Sequence, residues 1–334
     1  MEEPIFTDYG TLIFNLFERF VQARGSEMDW YSDRYDYPHK TLIVFFAMMQ
    51  YRRIFKFKAQ WRWLKAHPTE REQLGFESVP DRTTLSRRYK ALYPILQAFI
   101  AFVGQYAEQL DERFASRDLF EDKSLFKAQG PVWHQSDRKV GRIPDRLRAL
   151  DTDATWSRSG YHGWVYGYSV HLTCNPAAFP KLAQVETGAF SEKQALDTKE
   201  HFLLAHLQPA TLTGDDGYTK ALRIRQWARQ GVALLTPALR WFKGRYAVAY
   251  HHYIEQPDNA ALLHLRQTAI EPFFDLLAQV VGATDNHKQL PIRRLVNVRT
   301  CLALGILIIQ VAMIANSIWN LPLRSISHIG VAFT

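Results

Sequence analysis

The sequence predicts a mixed α+β and α/β chain in which a helical bundle precedes a region built on a mixed β-sheet. Apolar residues in the first 114 positions recur with the 3.6-residue period of helices, as in TLIFNLFERFVQARG (11–25). Near residue 115 the pattern changes to short apolar runs that alternate with helical segments. We therefore predict two domains, residues 1–114 and 115–334, in this chain of 334 residues.

The N-terminal region is predicted to contain five helices. Their predicted ranges are 11–25, 39–55, 57–67, 83–92 and 93–114. Asp81, which follows Pro80, is the predicted N-cap of the fourth helix, because a short acidic side chain can accept hydrogen bonds from the first free backbone amides.

The C-terminal region is predicted to begin with three strands and to continue as alternating helices and strands. The predicted strands are 117–128, 164–175, 181–191, 210–216 and 232–238. The predicted helices are 195–207, 219–231, 258–282 and 300–320. Between the first two strands lie about 40 residues rich in Gly, Pro, Trp and basic groups. This order favours a sheet with both antiparallel and parallel pairs.

The positive charge of the chain is unevenly distributed. The net charge is +8, yet residues 1–50 hold 4 Lys/Arg against 8 Asp/Glu. Residues 51–90 hold 11 against 4, and residues 123–165 hold 8 against 4. Two basic regions in one chain indicate a polyanionic partner.

The cysteines and the N-terminus favour a reducing, cytosolic location. Cys174 and Cys301 both lie in apolar stretches, so neither a disulfide framework nor a zinc site is expected. The acidic start MEEPIFTDYG lacks the basic residues of a signal peptide.

One segment is apolar enough to cross a membrane. Residues 300–323 carry no charge over 24 positions, although Gln310 and Asn316 interrupt them. We expect a buried core helix here and no membrane partner, with a membrane span as the alternative.

Three acids occupy positions where α/β sheets usually present functional groups. Asp122 lies in the first predicted strand, Asp215 at the end of the fourth, and Glu271 on a late helix. Carboxylate oxygens suit Mg²⁺ or Mn²⁺, and a pair of such ions can catalyse phosphodiester chemistry. Asp216 is an alternative to Asp215, and Glu121 to Asp122, but strand alternation allows only one residue of the second pair to face the site.

Four motifs in order resemble the DDE transposases of bacterial insertion sequences, in particular insertion-sequence families four and five. The motifs are EDKSLFKAQGPVWH (121–134), GYSVHL (167–172), GDDGY (214–218) and RQTAIEPFFDLL (266–277), and the likeness covers about residues 120–280. The resemblance implies a ribonuclease H-like catalytic domain, with Asp122, Asp215 and Glu271 as catalytic residues and metal ligands.

The resemblance further implies a homodimer that joins the two terminal inverted repeats of a mobile element and transfers them to target DNA. The implied cofactor is Mg²⁺, or Mn²⁺, with two ions in each active site, and the implied location is the bacterial nucleoid. The chain departs from the family pattern in one respect, because no Lys or Arg follows Glu271 by about two turns. Arg266, Lys288 or the pair Arg293 and Arg294 are the candidate substitutes.

A second set of residues is predicted to contact DNA. The segment DRTTLSRR (81–88) resembles the second helix of a helix-turn-helix, although a solvated surface helix explains it equally well. The predicted contacts are Arg82, Thr83, Thr84, Ser86, Arg87, Arg88, Lys90, Lys123, Lys127, Trp133, His134 and Arg266. For Trp133 the alternatives are stacking on an unpaired base and packing within the protein.

Two other groups of polar residues carry structural interpretations. Asp151 and Asp153 resemble metal ligands by composition, but capping within a loop is the favoured interpretation. The pair His251 and His252 is predicted to lie in a surface loop, because no Cys or His stands at zinc-binding spacing.

Two other functions fit the same residues. A metal-dependent nuclease or resolvase would hydrolyse DNA without joining strands. A catalytically decayed transposase would bind the repeats and cut nothing.

Overall fold

A computed structural model describes residues 9–25, 36–145, 147, 149–160, 163–237 and 243–326. The acidic start of the chain up to residue 8 lies outside the described residues, as do Arg146 and Arg148 of the second basic region.

The described part of the N-terminal region is helical, as predicted. Its helices are α1 Tyr9–Arg24, α2 His39–Tyr51, α3 Phe57–Ala66, α4 Pro68–Gln73, α5 Arg82–Ala91 and α6 Tyr93–Tyr106. Helix α2 ends earlier than predicted because Arg53 adopts a left-handed backbone conformation, with φ of 61°. Helix α6 also ends early, and two 3₁₀ turns, Ala107–Gln109 and Glu112–Phe114, follow it.

Helix α5 begins as the sequence predicts. The Oδ1 of Asp81 accepts hydrogen bonds from the backbone amide of Thr83 at 2.7 Å and from its hydroxyl at 2.6 Å. Leu85 and Tyr89 are the buried residues of this helix, four positions apart. The opposite side of the helix is therefore left to basic residues.

Six strands form one mixed sheet. They are β1 Asp118–Lys127, β2 Thr155–Ser159, β3 Gly163–Cys174, β4 Pro180–Thr187, β5 Thr211–Thr213 and β6 Ala233–Leu235. Strand β3 pairs antiparallel with β1 along one edge and with β2 and β4 along the other. Strands β5 and β6 continue the sheet beyond β1 in parallel. The sheet is mixed, as predicted, and β2 is a strand that the sequence analysis missed.

Helices connect the parallel strands and close the C-terminal region. They are α7 Gln135–Lys139, α8 Glu192–Phe202, α9 Ala221–Ala228, α10 Arg245–Ile254, α11 Pro257–Val280 and α12 Leu295–Ile318. Helix α10 contradicts the prediction that His251 and His252 lie in a loop. Ala247, Tyr250 and Ile254 are buried on one side of α10, and this helical spacing explains the helix.

Among the residues that the structure describes, helix α12 alone is long and apolar enough to cross a membrane. In the most apolar 18-residue stretch of this helix, 89% of the residues are buried inside the protein. The Gln310 amide group donates to the carbonyl oxygens of Ile100 and Pro180, at 3.0 and 2.9 Å. The polar interruption in the apolar segment thus ties α12 to α6 and to the start of β4.

The hydrophobic core is continuous across the predicted domain boundary at residue 115. Helix α12 packs against α1, α2 and α6 and also against β4. One buried cluster contains side chains from the helical region, from β1, β3 and β4, and from α11 and α12. The division into two domains remains a prediction, and the structure adds that the two parts share a core.

Candidate active site

Strand β1 carries two neighbouring acids that point to opposite faces of the sheet, as strand alternation requires. The Glu121 side chain is fully buried on one face, where it pairs with Lys199 and accepts a hydrogen bond of 2.5 Å from the Thr173 hydroxyl. The Asp122 side chain is 14% exposed on the other face and lines an open cavity. Asp122 therefore faces the candidate site, and Glu121 is part of the core.

The end of β5 places Asp215 in the same cavity. Asp215 Oδ1 accepts a hydrogen bond of 2.9 Å from the Gly217 amide, which fixes the turn after the strand. Asp216 is exposed, lies outside the cavity lining and begins the 3₁₀ turn Asp216–Tyr218. Tyr218, the last residue of this turn, is fully buried. The structure thus brings Asp215, and not Asp216, to the cavity.

Gly217 allows the turn after β5 to approach α8 closely. A Cβ atom at this position would lie 3.0 Å from Asp215 Oδ1 and 3.1 Å from Glu192 Cγ. Both distances are tighter than ordinary carbon contacts, so the turn and Glu192 would have to separate.

Helix α11 completes the cavity with Glu271 and Arg266. The cavity has a volume of about 1060 Å³ and contains all three predicted acids, Asp122, Asp215 and Glu271. The other charged residues of its lining are Lys123, Arg158, Glu192, Arg266, Asp275 and Lys288. The cavity therefore combines acidic and basic side chains.

Burial and negative neighbours raise the pKa values of two of the acids. Burial raises the pKa of Asp122 to about 7, and the charge of Asp215 adds to this rise while Arg266 opposes it. Burial is also the largest cause of the raised pKa of Asp215, and the negative charge of Glu192 raises it further. Perturbed carboxylates in a cleft are characteristic of functional sites.

Each of three cations in the cavity pairs with a different acid. Arg266 Nη1 lies 2.9 Å from Asp122 Oδ2, and Lys288 Nζ lies 3.1 Å from Asp275 Oδ1. Lys123 Nζ lies 3.3 Å from Glu192 Oε1 and donates a hydrogen bond of 2.9 Å to the Phe190 carbonyl.

The cavity separates the candidates for the basic group that the family pattern has about two turns after the Glu and that this chain lacks after Glu271. Arg266 and Lys288 line it, whereas Arg293 and Arg294 do not. Arg293 donates a hydrogen bond of 2.7 Å to the Ala149 carbonyl, and Arg294 pairs with Asp153 at 3.4 Å.

The acids in the cavity have the right chemistry for a hard divalent cation, but they are not gathered around one point. Among residues 9–25, 36–145, 147, 149–160, 163–237 and 243–326, no group of three or more His, Cys, Asp or Glu side chains is close enough to hold a metal ion. The available donors are carboxylate oxygens, which Mg²⁺ and Mn²⁺ prefer. The raised pKa values of Asp122 and Asp215 show that burial disfavours their negative charge, which a bound cation would stabilise. In type and charge, the residues fit the predicted metal.

Sequence analysis missed several residues of the cavity. Glu192 follows Ser191, which caps α8 in a capping box with Gln194. The motif SEKQ after a predicted strand is a recognisable helix start, so the position of Glu192 at the sheet edge was open to prediction. The position of Arg158 could not have been predicted in this way, because the sequence of β2 shows no clear strand pattern. Trp164, the register partner of Arg158 on β3, is 63% exposed.

Helix α5 forms a separate basic surface. Phe57, Arg82, Thr83, Ser86, Arg87 and Lys90 line a surface pocket of about 620 Å³. Thr84 is half-buried and does not line this pocket. Arg88 is half-buried, and its guanidinium donates a hydrogen bond of 2.9 Å to the Tyr37 carbonyl, while its contact with DNA remains a prediction.

Three predicted DNA contacts, Lys127, Trp133 and His134, do not line the cavity that contains the three acids. The Trp133 indole is partly buried against the core, and its Nε1 donates a hydrogen bond of 3.0 Å to the Arg142 carbonyl. His134 is exposed and precedes α7. Lys127, at the end of β1, pairs with Asp285 at 3.1 Å. The geometry favours the packing interpretation of Trp133, while the DNA contacts of these residues remain predictions.

Asp151 and Asp153 have structural roles: the Asp153 amide donates a hydrogen bond of 3.3 Å to Asp151 Oδ1 within the loop, as the sequence analysis favours, and both aspartates also contact distant parts of the chain. Asp151 is fully buried and accepts hydrogen bonds from the Tyr168 hydroxyl at 2.7 Å and the Arg294 amide at 2.9 Å. Asp153 accepts a hydrogen bond of 3.0 Å from the Leu295 amide at the start of α12.

The raised pKa of Asp122 predicts a pH-dependent stability. An unfolded aspartate has a pKa of about 3.9, and the folded value is higher, at about 7. The folded chain therefore binds more protons between these values, and Asp122 increasingly destabilises the fold as the pH rises from about 4 to about 7. We expect Asp122→Asn to raise the thermal midpoint in EDTA more at pH 8.5 than at pH 5.

Thermal unfolding at both pH values measures this difference, and Asp216→Asn is the matched control because its exposed side chain lies outside the cavity. Asp122→Asn and wild type with the same pH dependence would contradict the prediction.

Comparison with known proteins leaves the family open. No protein-family model and no curated protein matches the chain. The crystal structure of a pre-cleavage Mos1 transpososome is a weak structural neighbour. The alignment covers 80% of this chain and 86% of that chain, at 8% identity and a TM-score of 0.19. A similarity this low does not support a conclusion about fold or function.

Proposed function

We propose that this protein is a DNA transposase that binds terminal inverted repeats and catalyses metal-dependent strand cleavage and strand transfer. The observation that carries the proposal is the meeting of Asp122, Asp215 and Glu271 in one cavity. They come from β1, the end of β5 and α11, which are far apart in the sequence. Their order is the one implied by the resemblance to DDE transposases.

The sheet supports a ribonuclease H-like catalytic domain as part of this proposal. Strands β1, β3 and β4 pair antiparallel, and β5 and β6 then extend the sheet from β1 in parallel. In this arrangement the central strand β1 carries the first acid. The neighbouring parallel strand β5 ends beside the second.

The proposed chemistry uses the cavity residues in three roles. Asp122, Asp215 and Glu271 would hold Mg²⁺ or Mn²⁺, which when bound activates an attacking oxygen and stabilises the leaving oxygen of a phosphodiester. Arg158 and Lys288 line the same cavity, where they would bind the phosphates of the DNA strand. Lys123 bonds to Glu192 and to the Phe190 carbonyl, and so holds the start of α8 against β1.

The proposed reaction has two phosphoryl-transfer steps. Water first attacks the phosphodiester at the end of the element, which frees a 3′-hydroxyl group. That hydroxyl group then attacks a phosphodiester of target DNA, so the element end becomes joined to the target. Two ends must be handled together, and the proposal therefore includes a homodimer on double-stranded DNA. Its location would be the cytoplasm, at the nucleoid, which suits the two free, buried cysteines.

A strand-transfer assay separates this function from a nuclease or resolvase. The chain is incubated with Mg²⁺, a supercoiled plasmid and an end-labelled duplex that carries the DNA flanking its own gene. A transposase joins the label to the plasmid, whereas a nuclease or resolvase only shortens the duplex. Binding of the duplex without cleavage in Mg²⁺ or Mn²⁺ would favour the decayed, DNA-binding protein.

The exposed face of α5 predicts a salt-dependent contribution to DNA binding. Arg87 and Lys90 are exposed and line the pocket beside Phe57. We expect the double variant Arg87→Ala/Lys90→Ala to weaken DNA binding about tenfold or more at physiological salt. The slope of log K against log salt should fall by about 0.9 for each lost phosphate contact. Fluorescence polarisation at several salt concentrations measures both effects.

Arg88→Ala is the matched control on the same helix. It removes one positive charge, but the Arg88 guanidinium bonds to the Tyr37 carbonyl. The control should therefore lower thermal stability and leave the salt slope unchanged. Equal salt slopes for all three proteins would show that α5 does not contact phosphates.

A further inference from the structure

Both carboxylate oxygens of Asp122 have partners: Oδ1 accepts a hydrogen bond of 2.8 Å from the Lys123 amide, and Oδ2 faces Arg266. The Arg266 Nη1 atom is 2.9 Å from Asp122 Oδ2, and the two side chains are only 9% and 14% exposed. The charge of Arg266 also acts on Asp215, where it lowers the pKa against the effect of burial. The Arg266 guanidinium is thus the counter-charge of Asp122 and only partly offsets the charge of Asp215.

Two other cations of the cavity are engaged elsewhere. Lys123 pairs with Glu192, and Lys288 pairs with Asp275. In the part of the chain that the structure describes, Arg266 is the cation that forms an ion pair with Asp122. A buried carboxylate without a counter-charge is strongly destabilising, so Arg266 supplies the charge that the fold needs before a metal binds.

We propose that Arg266 is an internal counter-ion that occupies Asp122 in the metal-free protein and leaves it when a divalent cation binds. This inference rests on the proposed function, because it requires a metal at the three acids. A guanidinium and a divalent cation repel each other strongly at a shared carboxylate inside a protein. The two states are therefore alternatives: Asp122 binds either Arg266 or the metal.

The proposal explains why the acids share a cavity and yet do not form a ready metal site in the described residues. It also assigns a second position to Arg266. Once displaced, its guanidinium remains attached to α11 within the same cavity, five residues before Glu271. A planar guanidinium there can bind a DNA phosphate with two hydrogen bonds.

Metal affinity in the absence of DNA tests the competition. If the ion pair holds Asp122 in nine-tenths of the molecules, its removal lowers the apparent Kd for metal about tenfold. Calorimetric titration with Ca²⁺ at pH 8.5 measures this Kd. The expected result is a Kd about tenfold lower for Arg266→Gln than for wild type. Arg266→Lys, which keeps the charge, should stay closer to wild type.

Lys288→Gln is the matched control. It removes a positive charge from the same cavity, but Lys288 pairs with Asp275 and not with Asp122. Its effect on the Kd measures the general change in electrostatic potential. The inference requires a larger effect from Arg266→Gln than from this control.

Arginine side-chain NMR of the wild-type protein provides a test that does not depend on the folding of Arg266→Gln. The guanidinium signals of Arg266, assigned with Arg266→Lys, should change from restricted to freely rotating when Ca²⁺ is added. Unchanged signals on metal binding would overturn the inference.

The outcomes separate this inference from the proposed function. If wild type binds Ca²⁺, Asp122→Asn loses binding, and Arg266→Gln binds no more tightly than Lys288→Gln, the inference is wrong and the proposed metal site stands. If neither wild type nor any variant binds Ca²⁺ or Mn²⁺ at millimolar concentration, the proposed metal-dependent function fails, and the inference fails with it.

Discussion

Asp122→Asn and Asp215→Asn should each reduce metal-dependent DNA cleavage on the order of 1000-fold or more, the scale that removal of a single catalytic group produces. The physical reason is the loss of a carboxylate that is proposed to hold the metal ion. Asparagine keeps the size and one oxygen of each side chain but removes the negative charge that a divalent cation requires. Glu271→Gln should have a similar effect.

The comparison with Asp216→Asn makes this prediction specific. Asp216 is adjacent to Asp215 in sequence, but it is exposed and outside the cavity. It should retain cleavage within about twofold of wild type, because surface changes away from a site have small effects. Single-turnover cleavage of a duplex carrying the gene's flanking DNA measures all four variants. Loss of cleavage in Asp216→Asn with full activity in Asp215→Asn would reverse the assignment.

Lys199→Met should destabilise the fold by about 3–5 kcal/mol, the usual effect of breaking a buried ion pair. The Lys199 side chain is 8% exposed, and it pairs with the fully buried Glu121 carboxylate. Its ammonium group also donates a hydrogen bond of 3.0 Å to the Thr173 hydroxyl. Removal of Lys199 leaves the Glu121 charge buried without its counter-charge, although the Thr173 hydroxyl still donates a hydrogen bond to it.

The double variant Glu121→Gln/Lys199→Met should recover most of this loss, because no charge then remains buried. Burial raises the pKa of Glu121 in the wild-type protein, where Lys199 opposes the rise. In Lys199→Met the Glu121 pKa should therefore rise further. A proton then neutralises Glu121 at low pH, so the destabilisation should be smaller at pH 5 than at pH 8.

Urea unfolding at both pH values measures the free energy of unfolding of each variant. Lys193→Met is the control, because Lys193 is exposed on the same helix, α8, and should change stability by less than about 0.5 kcal/mol. A double variant that is no more stable than Lys199→Met would show that the pair stabilises the fold through more than charge neutralisation.

Local rules predicted much of the fold and the positions of the three acids within it. Asp81 caps α5 because a short acidic side chain before a helix meets free amides. Asp122 and Glu121 separate to opposite faces because neighbouring residues of a strand must do so. Asp215 lies just after β5 in the chain, at the end of a strand that the sequence also predicts. These features depend on residues within a few positions of one another.

Features that depend on distant contacts were not predictable. Arg88 turns inward because it reaches the Tyr37 carbonyl, 51 positions away in sequence. The ion pair between Arg266 and Asp122 joins α11 to β1, and no local sequence pattern predicts it. Helix α10 follows Gly244, whose φ of 99° redirects the chain, and its pattern was obscured by the two histidines.

Metal-directed cleavage of the polypeptide tests the central claim most directly, because it does not require the DNA sequence to be known. Fe²⁺ replaces Mg²⁺ in the protein, and ascorbate with hydrogen peroxide then generates radicals that cut the chain near the bound ion. The account predicts three cuts, near Asp122, Asp215 and Glu271, which excess Mg²⁺ suppresses and Asp122→Asn abolishes. Cuts that fall elsewhere, or that neither Mg²⁺ nor this variant changes, would contradict a metal site made by these three acids.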